Sequence, residues 1–392
     1  MIPRFPICLS ALLLLLAACS AEDQPNAEIV ASGDVFVITV GEDTVASLPE
    51  RGPDVDPAEA ELGWLLFWDP VLSGAGDVAC ATCHLPEHGY ADGLRTSVGI
   101  GGVGRGPDRS PHPGGLVARN APGIVNAVFN GIENDGSYAP NAAPMFWDNR
   151  ASGLAAQARE PVMSEPEMRG DTLSEGEIWD EVASRVEAIE EYRMRFDAVY
   201  GEPISVDTIT RAIAAFESTL VANNAPFDRW MRGDLTALSE AQFSGLVAFF
   251  EADCVSCHSG PMFSDFETHV LAAPDGPSAT TVDTGDGEHA FRTPTLRQLA
   301  YTAPYFHGGH AATIEASIEF YNLFVDGNEG EGMNMLNPGV PVELFDEELA
   351  DVDLEEGQIA AIAAFLESLN DPEFFVDEPP RVPSGLPVGG FE

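Results

Sequence analysis

Lysine is absent. All 18 basic residues are arginines, set against 64 acidic residues, and the 392-residue chain carries a net charge of −46. So acidic a surface repels nucleic acid and anionic head groups, which excludes both as partners. Two meanings of the acidity stay open: a solvated surface suited to salty surroundings, where screening relieves self-repulsion, and a field that steers a basic redox partner. Long apolar runs are also scarce. One, Leu9 to Ala18, follows Arg4, is too short to span a bilayer comfortably and precedes small residues, so it reads as an export signal. Nothing else is long and apolar enough to cross a membrane. Strand signals are few, which points to a mostly α class. Hydrophobic residues nevertheless make up 45% of the chain, which excludes global disorder.

Cysteine is sparse too. Of six, Cys8 lies in the export signal, and Leu16-Ala17-Ala18-Cys19 resembles a bacterial lipobox. That resemblance implies lipidation of Cys19 and a membrane held by lipid anchor only. With Ser20 following, it implies an envelope or periplasmic location on the outer membrane. The remaining four form Cys80-Ala81-Thr82-Cys83-His84 and Cys254-Val255-Ser256-Cys257-His258. In an oxidising compartment spare pairs become disulfides unless otherwise used. A redox dithiol needs no adjacent His, and zinc needs further ligands at suitable spacing. C-x-x-C-H is instead the attachment signature of c-type haem: each thiol bonds a vinyl group, and the next residue places its imidazole beneath the iron. Two copies predict two haem c groups.

The segments around the motifs repeat. Pro57 to Trp68 reads as a helix with a Trp64/Phe67/Trp68 apolar face, and Ser239 caps a helix carrying Phe243, Phe249 and Phe250 into Cys254. Each precedes a break and a haem motif, which predicts two cytochrome c-like haem domains packed against each other. The expected layout is a signal peptide at 1–19, an acidic tether at 20–56 with a short strand at Val35 to Val40, a first haem domain at 57–235, a second at 236–370, and a Pro-rich surface tail at 371–392. Helices are expected over Glu175 to Tyr200, Ser205 to Val221, Thr313 to Phe324 and Gly357 to Leu369, with a loop at Gly99 to Gly115.

Over roughly residues 57–370 the chain resembles the bacterial dihaem cytochrome c peroxidase and MauG superfamily. The resemblance rests on Leu72-Ser73-Gly74, Asn120-Ala121-Pro122, Asn126-Ala127, Phe146-Trp147-Asp148-Asn149-Arg150, Gln157-Ala158, Glu167-Met168, Thr293-Pro294-Thr295-Leu296-Arg297 and Thr302-Ala303-Pro304-Tyr305-Phe306-His307. It implies that His84 is the proximal ligand of a peroxidatic haem and His258 that of an electron-transfer haem, with Trp147 conducting between them. It implies that Gln157 and Glu167 line the distal pocket, Glu167 as acid/base. It also implies that Asn120, Thr302 and Pro304 hold a calcium ion, the last two through carbonyls.

Two departures bear on chemistry. Where family members place a removable His ligand, this chain reads Ser97-Val98-Gly99-Ile100, and Ile cannot bind iron; the first haem is then open to peroxide unless His112 substitutes. Counting from Thr302-Ala303-Pro304, the distal ligand of the second haem falls on Tyr321, as in MauG-like members, with Met333 and Met335 as alternatives. A phenolate stabilises oxidised iron and lowers the potential. Three functions follow as expectations. One is a peroxidase that reduces hydrogen peroxide with electrons from a cytochrome c-like donor. Another is a MauG-like enzyme that oxidises residues of a partner protein substrate. The last is a non-enzymatic dihaem electron carrier.

Overall fold

The computed structural model describes residues 28–324, 336–346, 349, 352, 354–372, 374 and 376–391. The first described element is an antiparallel meander, β1 (Glu28–Ser32), β2 (Val35–Val40) and β3 (Asp43–Ala46). The expected strand at Val35 to Val40 is its middle member. The flanking strands were hidden by acidic composition. Both pair with β2, and the meander is held because Ile38 of β2 and Val45 of β3 bury their side chains in the core around the second haem motif.

The remainder is mostly α. Helix α1 (Pro57–Phe67) begins on Asp56, whose carboxylate accepts from Ala58 N at 2.8 Å, with Pro57 at the first helical position. The first haem motif follows as α2 (Cys80–Cys83), then the short helices α3 (Leu154–Gln157) and α4 (Glu160–Met163). The helix expected over Glu175 to Tyr200 is two: α5 (Ile178–Ala188) and α6 (Glu190–Val199), broken at Ile189, which turns extended at φ −87°, ψ 113°. Helix α7 (Val206–Glu217) starts on a capping box of Ser205 with Thr208. After α8 (Pro226–Met231), α9 (Glu240–Glu251) starts on the Ser239–Gln242 box. Helices α10 (Ile314–Glu319) and α11 (Glu356–Glu367) end the helical part.

Two helix pairs organise the molecule. Helix α1 packs on α7 around the first motif, and α9 packs on α11 around the second. Each pair closes on one glycine: a Cβ would sit 1.8 Å from Ala212 O at Gly63 and 1.9 Å from Ala361 O at Gly245. The first core gathers Leu62, Phe67, Trp68, Tyr192 and Phe216; the second gathers Phe227, Phe249, Phe263 and Phe365. A third cluster joins Leu48, Phe129 and Met145 to Met262 and Phe266 from beyond the second motif.

The tail corrects an expectation. It does not trail over the surface: Val382 is 2% exposed in the first core, and Phe374, Leu386, Val388 and Phe391 pack against that core. Proline sets a chain extended; these apolar residues decide where it lies. No helix among the described residues is long and apolar enough to cross a membrane. Cys19, Met333 and Met335 lie outside the described residues.

Candidate active site

The first motif forms one short turn of helix. His84 caps it, and the Nδ1 of His84 lies 2.7 Å from Tyr90 O. In the second motif His258 Nδ1 lies 2.9 Å from Phe263 O. Each contact fixes Nδ1 as the protonated nitrogen and leaves Nε2, with no hydrogen-bond partner among the described residues, as the lone-pair donor. Burial pushes both imidazoles below their ordinary range, so both are neutral.

All four cysteines are free. Burial pushes Cys80 and Cys254 up to about 12 and Cys83 higher still. Redox dithiols need depressed thiols in electropositive surroundings, whereas Cys80, Cys83 and Cys254 are shifted the other way by burial. Paired free thiols, with an imidazole offering Nε2 from the next position, fit the donor set that c-type haem requires.

A large cavity opens beside the second motif. Cys254, Cys257, His258 and Tyr321 line it, together with Trp147, Asn120, Thr302 and Pro304. Tyr321 therefore comes to the same space as His258 from α10's C-terminal side. Burial, then the nearby sulfurs of Cys254 and Cys257, push its phenol up. Trp147 is 9% exposed; its indole Nε1 donates to Asn120 O at 3.0 Å, and its carbonyl accepts from Arg292 N at 2.6 Å. Asn120 Nδ2 donates to Leu94 O at 2.8 Å. The residues expected at the second haem, at the bridge and at the calcium site thus share one cavity. His84, Gln157 and Glu167 lie outside it.

Around the first motif, Glu167 sits in a π-turn, Glu165–Arg169, whose Pro166 carbonyl accepts from Ile100 N at 3.2 Å. Ile100 thus lies against the turn that carries the distal acid. Its apolar side chain supplies no ligand there. The Glu167 carboxyl is one of the charges felt by the Cys83 thiol, after Asp92 and Arg109. Burial raises Glu167 above its ordinary range, while Arg150 and Ser164 act to lower it. Arg150 is held over the Phe146 ring at 3.5 Å and pairs with Asp148 at 2.9 Å. Gln157 ends α3, half-buried, and no hydrogen bond joins it to Glu167. His112 is exposed, its Nδ1 accepting from Gly114 N at 3.3 Å.

Four groups carried no signal in the motif spacing. Asp92 is 2% exposed with Oδ2 unpartnered, and burial raises it to about 6. Arg109, 4% exposed, spends its guanidinium on the carbonyls of Val98, Gly99 and Gly104. His269 is gripped by Asp265 at 3.0 Å and Asp346 at 2.8 Å; Asp265 first, then the Cys257 sulfur, push it up to about 11. Its nitrogens are both used, so the Cys257–Asp265–His269 group leaves no imidazole lone pair for a cation. Glu217, on α7, has Oε2 buried without a partner, and burial pushes it up to about 8. A carboxyl raised on folding contributes stability below its ordinary range, and that stability is lost as pH climbs to about 8. Glu217→Gln is expected to flatten the fall in thermal midpoint between about pH 5 and pH 8; an unaltered fall would remove the buried-acid assignment.

Residues 57–236 match the family model described as di-haem cytochrome c peroxidase. Over 272 residues the chain is 36% identical to the cytochrome c551 peroxidase of Nitrosomonas europaea, covering 66% of this chain and 71% of that one. The chain belongs to the di-haem cytochrome c peroxidase family. It is also 34% identical over 286 residues to the methylamine utilization protein MauG of Methylorubrum extorquens, covering 70% of each chain. Among solved structures, a MauG-like protein associated with microbial copper homeostasis superposes with a TM-score of 0.64 at 26% identity, covering 84% of this chain and 94% of that one. A di-haem family implies two haem c groups, and two complete attachment motifs are present to take them.

Proposed function

We propose that this chain is a di-haem peroxidase that reduces hydrogen peroxide to water with electrons from a small cytochrome c-like donor. The observation that carries this reading is the unequal surroundings of two equivalent His donors: a raised carboxyl and an apolar Ile100 near the first, a phenol in the cavity of the second. In this reading residues 57–235 hold the peroxidatic haem and residues 236–370 the electron-transfer haem. Haem c, attached through Cys80 and Cys83 and through Cys254 and Cys257, supplies the iron that binds peroxide and passes electrons.

The chain supplies the rest. His84 and His258 present Nε2 because Nδ1 is committed to a carbonyl. Glu167 takes the proton from one peroxide oxygen and returns it to the departing one, so that two further protons and two electrons complete two waters. Gln157 helps orient the peroxide. Trp147, fixed at its indole by Asn120 and at its backbone by Arg292, offers an aromatic relay into the second cavity. Asn120, Thr302 and Pro304 are the proposed calcium ligands, and Cys19 the proposed lipid anchor to the outer membrane.

A second reading, oxidation of residues in a partner protein, is favoured by Tyr321, which lines the same cavity as Cys254, Cys257 and His258. A hard oxygen donor there favours oxidised iron. The test adds peroxide to the fully oxidised holoprotein, with and without reduced cytochrome c. Steady cytochrome oxidation supports the peroxidase. A long-lived oxidised state with negligible cytochrome turnover supports the second reading. No spectral response to peroxide discards both.

A further inference from the structure

We infer that the C-terminal strap, Phe374 and residues 376–391, is a positioning element for the first haem-attachment segment and acts through Thr82 and Tyr90. The inference rests on the reading that Cys80, Cys83 and His84 hold a haem.

Thr82 is the third residue of its motif and is 1% exposed. Its hydroxyl accepts from Ala79 N at 2.9 Å and donates to Gly389 O at 2.7 Å. Gly389 N in turn donates to Trp68 O at 2.8 Å. One residue of the strap, Gly389, therefore ties the end of α1 to the helix that bears Cys80 and Cys83. The approach is as close as the backbone permits: Gly390 has φ +71°, and a Cβ there would lie 2.3 Å from Asp77 O. Further back, Ser384 Oγ donates to Asp69 Oδ1 at 2.6 Å, and Tyr192 holds the other carboxylate oxygen at 2.8 Å.

The strap also reaches the proximal ligand. Tyr90, whose carbonyl holds His84 Nδ1, sits in the left-handed region at φ +59°, which a bulky residue occupies only when its surroundings enforce it. Its ring is packed between Phe67 at 6.1 Å and Phe374 of the strap at 6.2 Å. The second motif offers an internal comparison. Ser256, which occupies the position of Thr82, is exposed, and among the described residues its hydroxyl bonds locally, to Asp253 O at 2.8 Å and its neighbour Cys257 Sγ at 3.9 Å. Two attachment segments of the same spacing are therefore held differently: the strap bonds the first at Thr82, inside its Cys-x-x-Cys turn, whereas β3 meets the second past its His, where Gly260 N donates to Thr44 O at 2.9 Å and Gly260 O accepts from Ala46 N at 3.3 Å.

The test compares the full-length holoprotein with Thr82→Val, Thr82→Ser, Phe374→Ala and Ser256→Ala, by covalent haem per chain, electron paramagnetic resonance of each iron and the two reduction potentials. Thr82→Val and Phe374→Ala are expected to shift the resonance and potential of the first haem and leave those of the second in place. Thr82→Ser, which keeps the hydroxyl, restores the parent signals, and Ser256→Ala changes neither haem. Loss of the first haem in Thr82→Val with both haems kept in Thr82→Ser also supports the inference. Parent-like signals in both Thr82→Val and Phe374→Ala would overturn it. A parent protein with fewer than two covalent haems would instead overturn the reading on which it rests.

Discussion

Glu167→Gln is expected to slow the reaction with peroxide by roughly 10²- to 10⁴-fold, the usual worth of a positioned acid/base, while both haems stay attached. The substitution preserves shape and the polar head but removes the capacity to accept a proton from one oxygen and deliver it to the other. Its carboxyl is well placed for exchange: burial raises it above its ordinary range, and the Arg150 charge and the Ser164 hydroxyl hold the rise in check. As a base it must be ionised, so the rate should fall as pH drops through the raised value. Arg150→Met, by removing the largest opposing influence, should move that limb to higher pH. The measurement is single-turnover absorbance after peroxide addition, at several pH values, on protein whose haem content has been counted. A Gln variant that reacts at the parent rate would assign the proton transfer elsewhere, with Asp92, near Cys83 and raised to about 6, next in line.

Much of this site was legible because covalent haem attachment demands adjacent residues. Cys80 to His84 and Cys254 to His258 are contiguous, and the caps at Ser205 and Ser239 stand directly before the helices they start. What escaped was set by distant packing. Apolar periodicity runs on through Ile189, yet the chain turns extended there and splits the helix expected over Glu175 to Tyr200. The tail was read from its prolines, although Val382 and Phe374 were the informative residues, because they need a core and the nearest is that of α1 and α7. Asp92 and Arg109 lie in loops without a period, so no pattern marks them. Glu217 did carry a signal: it follows Ile209 and Ile213 at four-residue steps on α7, an acid placed on the buried stripe of an amphipathic helix.

Asp228→Ala is expected to lower stability by about 3–5 kcal/mol, and the thermal midpoint by on the order of 10 °C. Asp228 and Arg297 are 0% and 1% exposed at their side chains and meet through two bonds, Nη1 to Oδ2 at 2.9 Å and Nη2 to Oδ1 at 3.1 Å. The pair also joins segments far apart in the chain. Asp228 Oδ1 accepts from Leu48 N at 3.0 Å, beyond β3, while Arg297 Nε donates to Pro261 O at 2.6 Å, just past the second motif. Removing the carboxylate strands a guanidinium in a place without water and frees the Leu48 amide, and each loss adds to the other. The cost comes from the uncompensated charge more than from the attraction lost. The paired variant Asp228→Asn with Arg297→Met should therefore recover part of the stability that Asp228→Ala loses, and a double-mutant cycle should show strong coupling. Chemical unfolding of the holoprotein reads both quantities. Equal midpoints for Asp228→Ala and the parent would mean that water reaches this pair, and that the meander and the second haem segment are joined by apolar packing alone.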